Sequence, residues 1–193
     1  RLRPDLAIDG PSSCEWSGLL PGQGGEGGHH AAVCFAYAPE RVLPGRIVSE
    51  LAANDRIVGG LTPEASFRAA EIYRSFSEGE VVCTTARTAE LVKLSENAFR
   101  DVNIAFANEL SLIAEREGVD VHEVIRLANR HPRVDILRPG PGVGGHCIAV
   151  DPWFIVQGTP EVSRLIRTAR EVNDSKPGWV LEQLTREMAR FAG

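Results

Sequence analysis

The stretch ARTAELVKLSENAFRDVNIAFANELSLIAERE (Ala86–Glu117) decides the fold. It holds neither glycine nor proline, and Leu91, Leu94, Ala98, Val102, Ala105 and Leu112 recur at helical spacing. We read one helix of roughly thirty residues, about 45 Å long at the standard rise. That is far above the usual helix length. Gly118 ends it. Beyond it, DVHE (Asp120–Glu123) has the D-x-x-E form of a capping box and opens a second helix to about Asn129. A loop with Pro132, Pro139 and Pro141 follows. The last helical pattern runs from about Ser163 to Ala192, with a kink expected near Pro177–Gly178.

On the N-terminal side the pattern changes. Ala31–Tyr37 (AAVCFAY), Arg56–Gly60 and Glu80–Thr84 (EVVCT) are short apolar runs of strand length. Thr62 followed by Pro63 is an N-cap with proline at the first helical position, and the helix runs to about Phe76. Gly10–His30 is rich in Gly, Pro and Ser and reads as a flexible loop. This strand–helix–strand material is too short for a complete doubly wound domain. It reads as the tail of one, with the chain beginning partway through a larger protein.

The chain has 193 residues, 43% hydrophobic and 24% charged, with a formal charge of −5. That balance suits a soluble globular protein and argues against a nucleic-acid footprint or a polybasic membrane surface. No apolar run approaches bilayer length, and the N-terminus lacks the apolar core of a signal peptide. Cys14, Cys34, Cys83 and Cys147 form no C-x-x-C, which favours reduced thiols in a cytoplasmic protein. His29 and His30 sit in low-complexity sequence without ligand spacing, so no metal is expected there.

GPGVGGHC (Gly140–Cys147) spells G-x-G-x-x-G. A dinucleotide loop needs a strand before it and a helix opening at its third glycine. HPRVDILRP before it carries two prolines, and Pro152 prevents a helix running uninterrupted from Gly145. The other reading is a glycine-lined cysteine, with Cys147 as nucleophile and Asp151 four residues on. A buried cysteine in a tight turn fits the spacing equally well. Lys93, Asn97 and Arg100 fall on one stripe of the long helix, suited to an anionic substrate or an oxyanion. By spacing alone, a solvated face with a Glu96–Arg100 pair is the simpler account of that stripe.

Together, AELVKLSENAFRDVNIAFANELSLI, LANRHPRVDI, GPGVGGHCIAVDPWFIV and RLIRTAREVND resemble the UDP-glucose/GDP-mannose dehydrogenase family. The resemblance runs from about Tyr37 to the C-terminus, and less clearly at RPDLAI. K-x-x-x-N followed by G-x-G-G-x-C-x-x-x-D is its most specific part. GGHCIAVDPWF and RHPRV point to the branch acting on UDP-N-acetyl-D-mannosamine, whose product feeds bacterial surface polysaccharides such as enterobacterial common antigen. UDP-glucose and UDP-N-acetylglucosamine are the competing sugars, and a non-catalytic dimerisation module is the competing class.

The resemblance implies an NAD-dependent oxidation of the sugar's C6 alcohol to a carboxylate through a cysteine thioester. It implies Cys147 as nucleophile, Lys93 in proton transfer and oxyanion stabilisation, and Asn97 bonding the same oxygen. Asp151 would position the lysine or a water, and Glu40 in APERV would assist thioester hydrolysis. Arg41, Val42, Lys93, Asn97, Arg100 and Gly144 match the family's sugar and phosphate surroundings. His131 and Arg133 match a loop that reaches a neighbouring subunit. The implied fold is an α/β remnant of a Rossmann-like NAD-binding domain (1–84) followed by a mainly α-helical central dimerisation domain (85–193), forming a homodimer. The family's complete NAD-binding and C-terminal nucleotide domains are essentially absent from this chain, and activity of the isolated chain is doubtful.

Overall fold

The computed structural model describes residues 33–42 and 45–191. The expectations for 1–32, including the flexible loop, RPDLAI and the His29–His30 pair, lie outside the described residues. The described part is mostly helical, with one three-stranded sheet of order β1-β2-β3 and one long helix. It separates into two compact units, Arg1–Lys93 and Leu94–Gly193.

In the first unit, β1 (Ala36–Tyr37), α1 (Ile47–Ala53), β2 (Arg56–Gly60), α2 (Pro63–Arg74) and β3 (Val81–Thr85) follow in order. β2 and β3 pair in parallel with Arg56 opposite Val81 and Gly60 opposite Thr85. β1 joins β2 antiparallel, with Ala36 opposite Gly60. Of the strand expected from 31 to 37, only these last two residues are strand among those described. Val58, Ala70, Val81 and Cys83 form the core, with Ala38, Ala69 and Tyr73 packed against it. Val81 and Cys83 are two apart and so share one sheet face.

Two glycines close β2 because neighbouring backbone leaves no room for a side chain. A Cβ on Gly59 would lie 2.3 Å from the Thr85 oxygen, and one on Gly60 would lie 2.4 Å from the Ser66 nitrogen. Buried Ser66 ties the two strand ends, accepting from Gly60 N–H at 2.7 Å and donating to the Thr84 oxygen at 2.8 Å. The Thr62 side chain caps α2 by accepting from Ala65 N–H at 3.1 Å, with Pro63 opening the helix as its sequence predicts. Cys34 and Cys147 are free thiols, but Cys83 is disulfide-bonded, so the expectation of reduced cysteines fails at that position.

α3 (Ala86–Glu117) spans the whole stretch read as one helix. Thr85 ends β3 and accepts from Thr88 N–H at 3.1 Å, so strand and helix join without a loop. Gly118 takes φ +68, the left-handed value that terminates a helix. In the second unit, α4 (Val121–Ala128), α5 (Asp151–Gly158) and α6 (Arg164–Phe191) accompany the rest of α3. The Asp120 half of the expected capping box forms, with Asp120 accepting from His122 N–H at 2.8 Å. Glu123 instead receives Arg126 at 3.2 Å. α6 is continuous through Pro177.

The seam between α3 and α6 is polar. Asp101, Asn108, Arg170 and Asn173 are each at most 1% exposed. Arg170 donates to Asp101 at 2.7 Å, and its other terminal nitrogen bonds Asp174. Asn173 donates to Asp101 Oδ1 at 2.8 Å, and Asn108 donates to Asn173 at 2.8 Å. Lys176, also buried, donates to Ser111 at 2.6 Å and lies 3.7 Å from the centre of the Trp179 ring. Small residues (Ala98, Ala105, Ala114 and Ala169) supply the buried apolar positions beside them.

Candidate active site

The loop from Asn129 to Val150 contains no strand and no helix. α5 opens at Asp151, after the glycine run rather than at Gly145. GPGVGG therefore lacks both the strand and the helix that a pyrophosphate loop requires. What the loop does present is Cys147, an exposed free thiol. Its carbonyl accepts from Val150 N–H at 3.0 Å and Asp151 N–H at 2.8 Å, which fixes the cysteine one turn ahead of α5. Pro152 in the first turn of α5 has no amide hydrogen to lose, so it starts this helix.

Asp151, the first residue of α5, accepts from Asn97 on α3 at 2.5 Å. Asn97 is buried, so its amide is held where a mobile side chain would not be. Two residues expected to share a site are thus bonded across 54 positions of sequence. Lys93 lies one turn before Asn97 on α3 and is half-buried, and Arg100 is exposed. Gly144 has open space where a side chain would sit. Gly142 does not: with φ +145, its Cβ would meet the Pro177 ring at 2.8 Å.

His131 and Arg133 are exposed in a turn closed on itself, Arg133 N–H donating to His131 Nδ1 at 3.3 Å. Asn129 holds the base of that turn. It donates to the Ile136 oxygen at 2.9 Å and accepts from Ile136 N–H at 2.8 Å.

In the first unit, Glu40 accepts from Arg41 N–H at 2.8 Å and from the Arg56 guanidinium at 3.2 Å. Arg56 is buried, donates to the Leu51 oxygen at 2.7 Å and lies over the Tyr73 ring. Burial pushes the Glu40 carboxyl up, but bonds from Arg41 N–H and Arg56, the Arg56 charge and Val42 N–H outweigh it. The carboxyl is held below its ordinary value and is a carboxylate at neutral pH. Arg41 donates to the Asp55 oxygen at 3.3 Å. Val42 is half-buried.

Sequence reasoning missed Arg56 and every member of the polar seam. The signal available was spacing: Asp101 and Asn108 fall on the same helical stripe as Ala98 and Ala105, where a solvent-facing residue has no place. Among the described residues no group of three or more His, Cys, Asp or Glu is placed to hold a metal. Nor is any described helix long and apolar enough to cross a membrane.

The sequence model of the UDP-glucose/GDP-mannose dehydrogenase family, central domain, matches residues 87–175. The chain is 65% identical over 188 residues to UDP-N-acetyl-D-mannosamine dehydrogenase of Escherichia coli K12, covering 97% of this chain and 41% of that protein. It is 61% identical over 164 residues to NDP-N-acetyl-D-galactosaminuronic acid dehydrogenase of Ralstonia nicotianae, covering 85% of this chain and 39% of that one. The solved UDP-D-ManNAc dehydrogenase of Pyrococcus horikoshii superposes with TM-score 0.76 at 50% identity, covering 81% of this chain and 38% of that chain. The chain thus spans about two fifths of the length of the relatives it matches. Cys147, Asn97 and Asp151 all lie inside the matched central domain, and the chain belongs to the UDP-glucose/GDP-mannose dehydrogenase family.

Proposed function

We propose that this chain is the central region of an NAD-dependent nucleotide-sugar 6-dehydrogenase that converts UDP-N-acetyl-D-mannosamine to the uronate. The single observation that carries the reading is the Asn97–Asp151 bond, with Asp151 N–H also bonded to the carbonyl of Cys147, an exposed free thiol at the end of a glycine loop. The names of the E. coli and Pyrococcus relatives support the sugar. On this reading the Cys147 sulfur attacks the C6 aldehyde carbon. A C–S bond forms and the carbonyl electron pair moves to oxygen. Asn97 donates a hydrogen bond to that oxyanion, and the Lys93 ammonium stabilises its charge. Asp151, oriented by Asn97, positions the lysine or a water. Once the thiohemiacetal carbon has become a thioester, water adds at that carbon and the C–S bond breaks. The acid leaves and the thiol is restored. Glu40, ionised at neutral pH, assists this hydrolysis.

NAD supplies the hydride acceptor in this scheme. The described residues hold no strand–G-x-G-x-x-G–helix unit for its pyrophosphate, so we assign no residue of this chain to the cofactor and derive no step through it. We read residues 1–84 as the C-terminal part of the Rossmann-like NAD-binding domain, with β2–α2–β3 as one of its parallel strand–helix–strand units, and 85–193 as the central domain. Arg41, Val42, Arg100 and Gly144 are assigned to the sugar and phosphate. His131 and Arg133 are assigned to a turn that reaches a neighbouring subunit. Phe99, Phe106 and Ile113 are 71%, 54% and 52% exposed and recur every seven residues along α3, which supports a homodimer through that helix. We place the protein in the cytoplasm.

The test is Cys147→Ser in the full-length protein, with acid and NADH formation followed on UDP-N-acetyl-D-mannosamine. We expect no acid; unchanged uronate production would sink the reading. The Ralstonia relative favours a second sugar, an N-acetylgalactosamine nucleotide. Turnover of the two sugars side by side, with UDP-glucose and UDP-N-acetylglucosamine beside them, decides between them.

A further inference from the structure

Cys147 sits in a loop with no regular structure, yet a point midway along that loop is tied to the most deeply buried side chains of the second unit. Gly140 N–H donates to Asn108 Oδ1 at 2.8 Å. The Asn108 amide is not free to turn. Asp101 accepts from Arg170 and from Asn173 Nδ2, which leaves Asn173 Oδ1 to accept from Asn108 Nδ2. A carboxylate only accepts, so each amide in the series is set by the one before it. The last of them presents an oxygen to the loop. Ser111 adds a further hold, donating to the Asn108 carbonyl at 2.6 Å. A second contact lies two residues along the loop, where Gly142 packs on the Pro177 ring. Proline has no amide hydrogen for the Asn173 carbonyl, and the missing side chain of Gly142 leaves room for that ring.

We propose that Asn108 is a positioning residue for Cys147. Held in one orientation by Asn173 and Asp101, it pins the loop at Gly140, and Gly142 against Pro177 keeps the following residues from swinging. The seam between α3 and α6 thereby sets where the thiol stands, seven residues on from the pin. This inference rests on reading Cys147 as the nucleophile.

The experiment uses the full-length protein and the variants Asn108→Ala, Gly140→Pro and their combination. Gly140→Pro deletes the donor without touching the seam, and its position has open space around it. Each single variant is expected to lower kcat by about tenfold to a hundredfold with KM within about threefold, the signature of a misplaced reacting group. The pair should lose no more than either alone. Amide exchange should speed up in the peptide covering 138–150 while peptides of α3 and α6 keep their protection. An Asn108→Ala protein with unchanged kcat and unchanged loop exchange overturns the proposal, as does exchange that rises equally across both helices. If Asn108→Ala does not fold, Gly140→Pro alone decides by the same two readouts. Cys147→Ser separates the two ideas: if it keeps activity the nucleophile reading fails, while the exchange readout still reports on the anchor.

Discussion

The two units differ in the side chains at their centres, although the first also buries Arg56 and Ser66 and the second a row of alanines. Around β2 and β3 the core is apolar, built from Val58, Ala70, Val81 and Cys83. Between α3 and α6 the most deeply buried groups are Asp101, Asn108, Arg170 and Asn173. An apolar core tolerates a change in shape at modest cost where, as at Val58, Ala70 and Val81, no side chain needs a particular partner. A buried ion pair within an amide series does not, because removing one member leaves a charge or a donor without water and without a mate. The seam therefore trades tolerance for position. It is the region that carries Asn97 on one helix and the anchor of the cysteine loop on the same helix.

The sharpest way to break this contrast is Arg170→Ala. It leaves Asp101 buried with its counter-ion gone and is expected to cost about 3–5 kcal/mol in urea unfolding. Replacing both partners, Asp101→Leu with Arg170→Met, should recover most of that loss, since no charge is then stranded. A double variant as unstable as the single one would show that the ion pair itself stabilises the seam. Val58→Ala in the apolar core is expected to cost about 2 kcal/mol, transfer and cavity together. Thr62→Ala, which removes only the α2 cap, should cost about 1 kcal/mol.

The smallest effect concerns Lys176. Burial pulls its ammonium below the ordinary lysine value, and the Glu115 charge offsets part of that. Between the lowered folded value and the ordinary one, the unfolded chain holds more protons than the folded one. Stability contributed by this residue therefore rises as pH climbs through that window. Lys176→Met should flatten this rise and change stability at neutral pH little, which unfolding curves at a series of alkaline pH values would show. Glu40 has the same sign, in the acid range. Its carboxyl is held low, so its contribution is present above the ordinary carboxyl value and is lost as pH falls through the folded value.

Elements with their own punctuation were legible without a structure. α3 has uninterrupted helical residues and a glycine stop, α2 has Thr62–Pro63, and β2 has a compact apolar run. α1 and α5 were not, because each is short and neither has a side-chain cap. Pro152 looked like a barrier and is part of the helix start. Within the site, Cys147, Asp151, Lys93 and Asn97 stand out because their residue types carry chemistry. Asn108 carries none; its place on the Ala98–Ala105 stripe marks it as buried, but nothing nearby names its partner.

From the residues alone one can say that α3 is a single helix, that GPGVGG lacks the neighbours a dinucleotide loop needs, and that Cys147 and the Lys93–Asn97 stripe belong to one family pattern. The first two are properties of adjacent positions, where spacing and propensity suffice; the third rests on the resemblance to a family, since spacing alone left both the cysteine and the stripe open. Only the tertiary structure joins Asn97 to Asp151 and Gly140 to Asn108, pairs 54 and 32 positions apart. A stripe can hint that a polar side chain on a helix is buried, but which partner it meets depends on what packs against it, and that is written in no local stretch of the chain.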